Sequence, residues 1–142
     1  MNLTPNDILV LVQSIISAYQ TWLYDILVDA YQKGNKEKAS VILKQLNTVT
    51  PSLQHVNHIK SIAQLTDEDL TILVTGINDP KVVQIAIRNV MELDPPDNDN
   101  IIQIPTTKLR PFIKERMLGY INTLKEFDKE TNTREQQDIT GI

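Results

Sequence analysis

The sequence predicts an all-α fold, a bundle or array of αα-hairpins containing five to six helices. Apolar residues recur at intervals of three and four along most of the chain, which is the spacing of a helix face. Only four glycines occur in 142 residues, too few for the many tight turns of an all-β protein. An apolar fraction of 41% suits one domain with a single core at this length.

The first helix is expected to begin at Pro5 and to continue to Gly34. Thr4 offers an N-cap hydroxyl, Pro5 suits the first helical position, and Asp7 supplies a carboxylate at the third. Gly34 suits the position that follows the last turn. Residues 1–7 contain no Lys or Arg. A signal peptide begins with positive charge, so the sequence disfavours a signal peptide here.

The stretch ILVLVQSIISAYQTWLYDILV, residues 8–28, is apolar enough to suggest a membrane span, but a helical wheel favours another interpretation. Its polar residues gather on one half of the circle, so we predict an amphipathic helix with an apolar face about 180° wide and no membrane insertion. Such a face needs two neighbouring helices or another chain, and the sequence leaves both open. The predicted interaction face combines this helix with the last one and consists of Leu11, Ile15, Trp22, Ile26, Met117, Tyr120 and Leu124.

Four shorter helices are expected to complete a helical body at 1–93, joined by short loops that make them antiparallel neighbours. Asn35 caps the second helix, Pro51 opens the third, and Thr66 with Asp69 caps the fourth, which Gly76 ends. Asp79 and Pro80 open the fifth. The predicted ranges are 36–46, 52–64, 70–75 and 80–92.

Residues 94–106 are expected to form an acidic, proline-containing linker with a short extended segment at 101–105. A C-terminal amphipathic helix follows within 107–129, opened by Pro111. It is expected to pack on its own body or on a neighbouring chain. The polar residues 130–142 are expected to be a flexible tail.

The segment AYQKGNKEKASVILKQLNTVTP, Ala30 to Pro51, resembles a tetratricopeptide repeat over about 22 residues, without a tandem copy. Gly34 takes the place of the family's turn glycine, Ala39 that of the alanine five residues on, and Pro51 that of the helix-ending proline. The segment DPKVVQIAIRNVMEL similarly resembles HEAT-type repeats. Both resemblances imply αα-hairpin packing and protein binding.

Catalytic and cofactor-binding motifs are missing from the sequence, so we predict a protein that is not an enzyme and binds no cofactor. The chain has no cysteine, no paired glycines for a phosphate loop and no G-x-S-x-G motif. His55 and His58 have the spacing of two metal ligands, but no carboxylate lies within a turn of either, so we expect no metal site. The acids of the linker do not fit an EF-hand loop.

A net charge of −4 and a pI near 5.1 disfavour non-specific binding to nucleic acid. We therefore predict a helical interaction or assembly protein that self-associates as a homo-oligomer or binds a protein partner. A viral or phage structural component fits, and the expected location is the cytoplasm or a virion. The alternative is a small regulatory nucleic-acid-binding protein that uses the basic start of the last helix. Its candidate phosphate contacts are Lys108, Arg110, Lys114 and Arg116.

Overall fold

The computed structural model describes residues 4–92 and 106–126, and all regular structure in these two ranges is helical. The all-α prediction is therefore confirmed. The elements are α1 (Pro5–Gln32), α2 (Lys36–His58), a 3₁₀ turn (Ile62–Gln64), α3 (Asp67–Ile77), α4 (Pro80–Glu92), α5 (Thr106–Glu115) and α6 (117–126). The predicted extended segment and tail lie outside the described residues, as does the linker except for its last residue, which begins α5.

Helix α1 has the two ends that the sequence predicts. The hydroxyl of Thr4 accepts a hydrogen bond from the Asp7 N–H at 3.2 Å, and the Asp7 carboxylate accepts one from the Thr4 N–H at 2.9 Å. Gly34 has a φ of +68°, a left-handed conformation that glycine adopts without steric cost. Between these ends run 28 residues, a rod about 42 Å long.

The core of the protein forms around α1, which packs against α2, α3 and α4. Its buried residues are Ile8, Leu9, Leu11, Val12, Ile15, Ile16, Ala18, Tyr19, Leu23, Leu27 and Ala30. The chain's own helices therefore cover most of the wide face. In the described ranges no single helix has the length and hydropathy of a membrane span, and α3 and α4 reach that criterion only as a pair bent by 100°.

Helix α2 continues through Pro51, so the two separate helices predicted at 36–46 and 52–64 are wrong. Proline keeps a helical φ, and what it removes is one N–H, here the donor for the carbonyl of Asn47. Val49 and Ser52, which lie on the two sides of Pro51 in sequence, are both buried. Their packing stabilises the continuous helix by more than the missing hydrogen bond destabilises it. The 3₁₀ turn that follows is capped by Ser61.

Gly76 does not end α3, which continues to Ile77. A Cβ at Gly76 would lie 3.1 Å from the Cγ2 of Ile15, so the missing side chain permits a close approach of α3 to α1. The capping box of Thr66 and Asp69 is present as predicted. Helix α4 also starts at Pro80, as the sequence indicates.

The C-terminal helices pack on the chain's own body. Leu109, Phe112, Ile113, Met117 and Ile121 are buried, and the Lys125 ammonium donates to the carbonyl of Leu65. Pro111 lies inside α5 rather than at its start. The single predicted helix is divided at Arg116, the one residue, in a turn conformation, that separates α5 from α6.

Replacing Pro51 by alanine should raise the free energy of unfolding by about 2 kcal/mol. Alanine restores the N–H that the Asn47 carbonyl lacks, and Pro51 is exposed, so little packing is lost. Urea denaturation followed by circular dichroism measures the change. Pro5→Ala is the matched control, since the N–H at a first helical position has no intrahelical acceptor, and its effect should stay within about 0.5 kcal/mol. A destabilised Pro51→Ala variant would contradict the explanation.

Candidate interaction surface

Burial falls sharply along the hairpin that α1 and α2 form. Eight of the 12 residues at 8–19 are buried, against three of the 14 at 20–33. On α2, four of the 14 residues at 36–49 are buried. We call residues 20–49 the hairpin end. In the hairpin end each helix buries only one stripe of residues. This end of the hairpin is therefore less covered by the rest of the protein than the start of α1 is.

Most of the large exposed apolar side chains in the described ranges belong to the hairpin end. They are Tyr24 at 49% exposure, Val28 at 53%, Tyr31 at 58%, Val41 at 56% and Leu43 at 41%. The other two, Val74 and Tyr120, lie on α3 and α6. The exposed apolar residues are thus concentrated at one place and not scattered singly over the surface.

Four of these residues share one side of the hairpin. Tyr24, Val28 and Tyr31 are four and seven residues apart, so they form one stripe on α1. The amide of Gln20, one turn before Tyr24, donates to the hydroxyl of Thr50 at 3.1 Å. Leu43 lies two turns from Thr50 and therefore on the same side. We call the surface formed by Tyr24, Val28, Tyr31 and Leu43 the hairpin-end face.

This face carries almost no charge. The only charged residues of α1 are Asp7, Asp25 and Asp29, and the helical period places all three within about 40° of one another, along a different edge. The stripe of α1 that runs from Gln13 through Tyr24 to Tyr31 is thus uncharged. On α2 the same side carries a single cation, Lys36, in the first turn.

The structure does not bring the seven predicted interaction residues together. Leu11, Ile15 and Met117 are buried in the core of this chain, so they offer no surface to a partner. Trp22 and Ile26 are half-buried on the hairpin end, and the Trp22 ring lies 6.1 Å from that of Tyr19.

The C-terminal members of that set lie elsewhere. Tyr120 is exposed on α6, and Leu124 lines a cleft of about 250 Å³ with Pro5 and Leu9, near the start of α1. Leu9 and Trp22 are 13 residues apart, or about 20 Å along the helix. The predicted face is therefore divided between two ends of the protein.

The hairpin-end face is present in the sequence as a weaker signal. Tyr24, Val28 and Tyr31 fall on the polar half of the α1 wheel, together with Val10. Val10 packs partly against the core, whereas the three residues of the hairpin end are exposed.

A second feature, a buried polar cluster, joins α2 to α3. The carboxylate of Asp69 is 3% exposed and accepts the Ser52 hydroxyl at 2.7 Å and the Thr66 N–H at 3.0 Å. His55 Nδ1 lies 2.7 Å from Oδ2, the oxygen that also accepts the Thr66 N–H, whereas Ser52 donates to Oδ1. The sequence predicts Asp69 as a cap but not as a partner of α2.

The order of groups in this cluster differs from that of a nucleophilic triad. A triad places the imidazole between the hydroxyl and the carboxylate, so that it takes the hydroxyl proton. Here the carboxylate lies between Ser52 and His55 and binds both. The hydroxyl proton is therefore directed to a carboxylate and not to a base of suitable pKa. The arrangement fits a structural tie between helices.

Two groups of the core have shifted pKa values. Burial acts to raise the pKa of Asp69, but hydrogen bonds from the Thr66 backbone and from Ser52 and His55 outweigh it, and the net pKa is lowered. Because its pKa is lowered, Asp69 is ionised inside the protein at neutral pH, and each of its carboxylate oxygens accepts a hydrogen bond. For Tyr19, burial raises the pKa, and the negative charge of Asp79 raises it further.

The predicted pair His55 and His58 does not converge on one point. His55 binds Asp69, whereas His58 Nδ1 lies 2.6 Å from the carbonyl of Gln54. No group of three or more metal-ligating side chains occurs within the described ranges.

The basic residues of the alternative prediction lie on α5 and at its end. Arg110, Lys114 and Arg116 are exposed. Arg110 and Lys114 are one turn apart on the same side of α5, and Glu115 is their neighbour. The side chain of Lys108 lies outside the described part of the structure.

No protein-family model, no curated protein and no solved structure matches this chain. The resemblance to tetratricopeptide and HEAT-type hairpins stays a prediction from local spacing.

Replacing Asp69 by asparagine should lower the free energy of unfolding by about 2 kcal/mol at pH 7, because charge-assisted bonds to buried donors are lost. The lowered pKa also predicts a pH dependence. The stabilisation by Asp69 is fully present above the unfolded-state pKa of about 3.9 and is lost as the pH falls through the lower folded-state value. The variant should therefore lose less stability than the wild type on acidification below about pH 5.

Urea titrations from neutral to acidic pH measure both effects. Asp67→Asn is the matched control, since Asp67 lies in the same helical turn but is exposed, and its effect should stay below about 1 kcal/mol. Equal losses in the two variants would show that the cluster adds nothing beyond a charge at the helix start.

Proposed function

We propose that this chain is a non-enzymatic interaction or assembly protein that binds another protein chain through its hairpin-end face. The observation that carries the proposal is the concentration of Tyr24, Val28, Tyr31 and Leu43 on one side of the hairpin end, where Lys36 is the single charged residue. Interface centres are enriched in tyrosine and depleted of charged residues. A solvent-facing helix side usually carries the opposite composition.

The exposure of these residues is not a defect of the core. The core is continuous from the start of α1 to Ile121. Within the described residues, every buried polar side-chain atom has a hydrogen-bond partner. The fold is thus complete without the hairpin-end face, which leaves association as the role for these apolar side chains.

The chemistry of the buried cluster supports the same proposal. The Ser52 hydroxyl is bound to a carboxylate, and Ser52 itself is buried. This is the arrangement of a helix-joining bond rather than of a reacting nucleophile. A building block of a viral or phage particle is one specific form of the proposed role, and it stays a prediction from the sequence.

The double substitution Tyr24→Gln/Tyr31→Gln should abolish association while it changes the free energy of unfolding by less than about 1 kcal/mol. Both rings are about half exposed, and glutamine suits a helix. Immobilised chains are compared for retention of the free wild-type chain and of candidate partner proteins. The control is Val74→Gln, an exposed apolar residue on α3, which should behave as wild type.

Equal retention by the tyrosine variant and the wild type would contradict the use of this face. A wild-type chain that retains no protein at all would contradict the proposed function.

The alternative, nucleic-acid binding, depends on Arg110 and Lys114, two exposed cations one turn apart. The net charge of −4 opposes it. We expect no retardation of duplex DNA or RNA in about 50 mM salt, where phosphate contacts are strong. Retardation that is lost in Arg110→Ala/Lys114→Ala would support the alternative. A Lys36→Ala/Lys38→Ala control, which removes two exposed cations from α2, distinguishes a specific loss from a general change in charge.

A further inference from the structure

We infer that the partner of the hairpin-end face is a second copy of this chain, with the two hairpins related by a two-fold axis that runs along them. Helix α1 of each copy then lies on α2 of the other, and the two hairpin ends together form a four-helix bundle. This inference rests on the proposed function and specifies its partner. It depends on the charges at the two edges of the hairpin end.

The two edges differ in charge. On α1, residues 20–32 contain Asp25 and Asp29 and no cation. On α2, the outer edge carries Lys44 and, two turns before it, Glu37. Asp29 is paired within the chain with Lys33 at 3.2 Å. Asp25 and Lys44 have no ion-pair partner among the described residues.

Asp25 and Lys44 occupy equivalent positions on the two helices. Asp25 lies midway in sequence between the buried Leu23 and Leu27, and Lys44 lies midway between the buried Ile42 and Leu46. Each is therefore about 160° round its helix from both buried neighbours. Both side chains lie at the outer edges of the hairpin, away from its seam.

The two residues also lie at the same level along the hairpin. Gln13 donates to the carbonyl of Val56 at 2.8 Å, and Gln20 donates to Thr50. These two bonds fix the register of the antiparallel pair. Continued to the turn at Gly34, the register places Lys44 within one residue of the level of Asp25.

A two-fold axis along the hairpin exchanges the two edges while it preserves the level. Asp25 of each copy then meets Lys44 of the other, so this pairing of opposite charges occurs twice by symmetry. A two-fold axis across the hairpin would instead place the acidic edge of α1, with Asp25 and Asp29, on the same edge of the second copy. Charge complementarity therefore selects the parallel arrangement, with the uncharged hairpin-end face at its centre.

The size of the face sets the expected affinity. Thirteen residues of helix are about 20 Å long, and two helices side by side are about 20 Å wide, which gives a footprint on the order of 400 Å² per copy. This is about half of the area per partner in a standard interface. We therefore expect a reversible dimer with a dissociation constant of about micromolar magnitude.

The test is charge exchange followed by sedimentation equilibrium on the full chain. Asp25→Lys and Lys44→Asp should each weaken the dimer about ten-fold, because each creates two like-charged contacts. The double variant should return to within about two-fold of the wild type, since it restores opposite charges. Glu68→Lys makes the same change in net charge as Asp25→Lys at an exposed site on α3 and should have no effect.

Cysteine cross-linking reports the orientation independently, because the chain contains no cysteine of its own. When Asp25→Cys and Lys44→Cys chains are mixed and treated with a short bis-maleimide, the mixed dimer should be the main product. A product formed mainly between two Asp25→Cys chains would overturn the parallel arrangement.

The outcomes separate this inference from the proposed function. A chain that stays monomeric at all concentrations overturns the second copy as the partner, while binding of another protein through the tyrosines would still stand. If the dissociation constant of the dimer is unchanged by the charge exchange but the dimer is lost in Tyr24→Gln/Tyr31→Gln, the orientation alone is overturned. A dimer that survives the tyrosine substitutions overturns the second copy as the partner of this face, and equal retention of other proteins by that variant overturns the proposed function as well.

Discussion

The packing of α1 against α2, α3 and α4 is the interaction on which the rest of the structure depends. Helix α1 is too long for α3, α4 and the 3₁₀ turn to cover completely. At residues 8–19 its wide apolar face forms the core; beyond Tyr19 its buried residues narrow to Leu23, Leu27 and Ala30. The same helix thus organises the fold at one end and exposes apolar surface at the other. Its length alone produces both consequences.

The parts of the fold that the sequence predicts well are local. The capping boxes at Thr4 and Thr66 and the left-handed turn at Gly34 depend on residues within a few positions of one another. The same local rules place helix boundaries at Pro51 and Gly76, yet both residues lie inside their helices. In both cases contacts from distant parts of the chain decide the outcome: burial on both sides of Pro51, and the approach of Ile15 to Gly76.

The candidate surface is harder to predict than the fold, for a physical reason. Periodicity identifies an apolar face but not what covers it. Leu11 and Trp22 belong to the same face, yet the first is buried in the core and the second is half-buried. The distinction depends on where α3 and α4 end, which no pattern within α1 contains. The tie from Asp69 to α2 escapes prediction for the same reason, because the partners are 14 and 17 residues apart in sequence.

The narrow seam of the hairpin end has a consequence for the internal motions of the protein. Leu23, Leu27, Ala39, Ile42 and Leu46 supply most of the apolar burial there, whereas a larger share of α1 is buried around Ile15. We therefore expect amide protons close to Gly34 to exchange with solvent through openings that leave the rest of the core intact, and those near Ile15 to require more extensive unfolding. The expected result is a gradient of local stability along one continuous helix. A chain that binds the hairpin end would slow amide exchange near Gly34 toward the rates found near Ile15. Hydrogen exchange would therefore report association as well as folding.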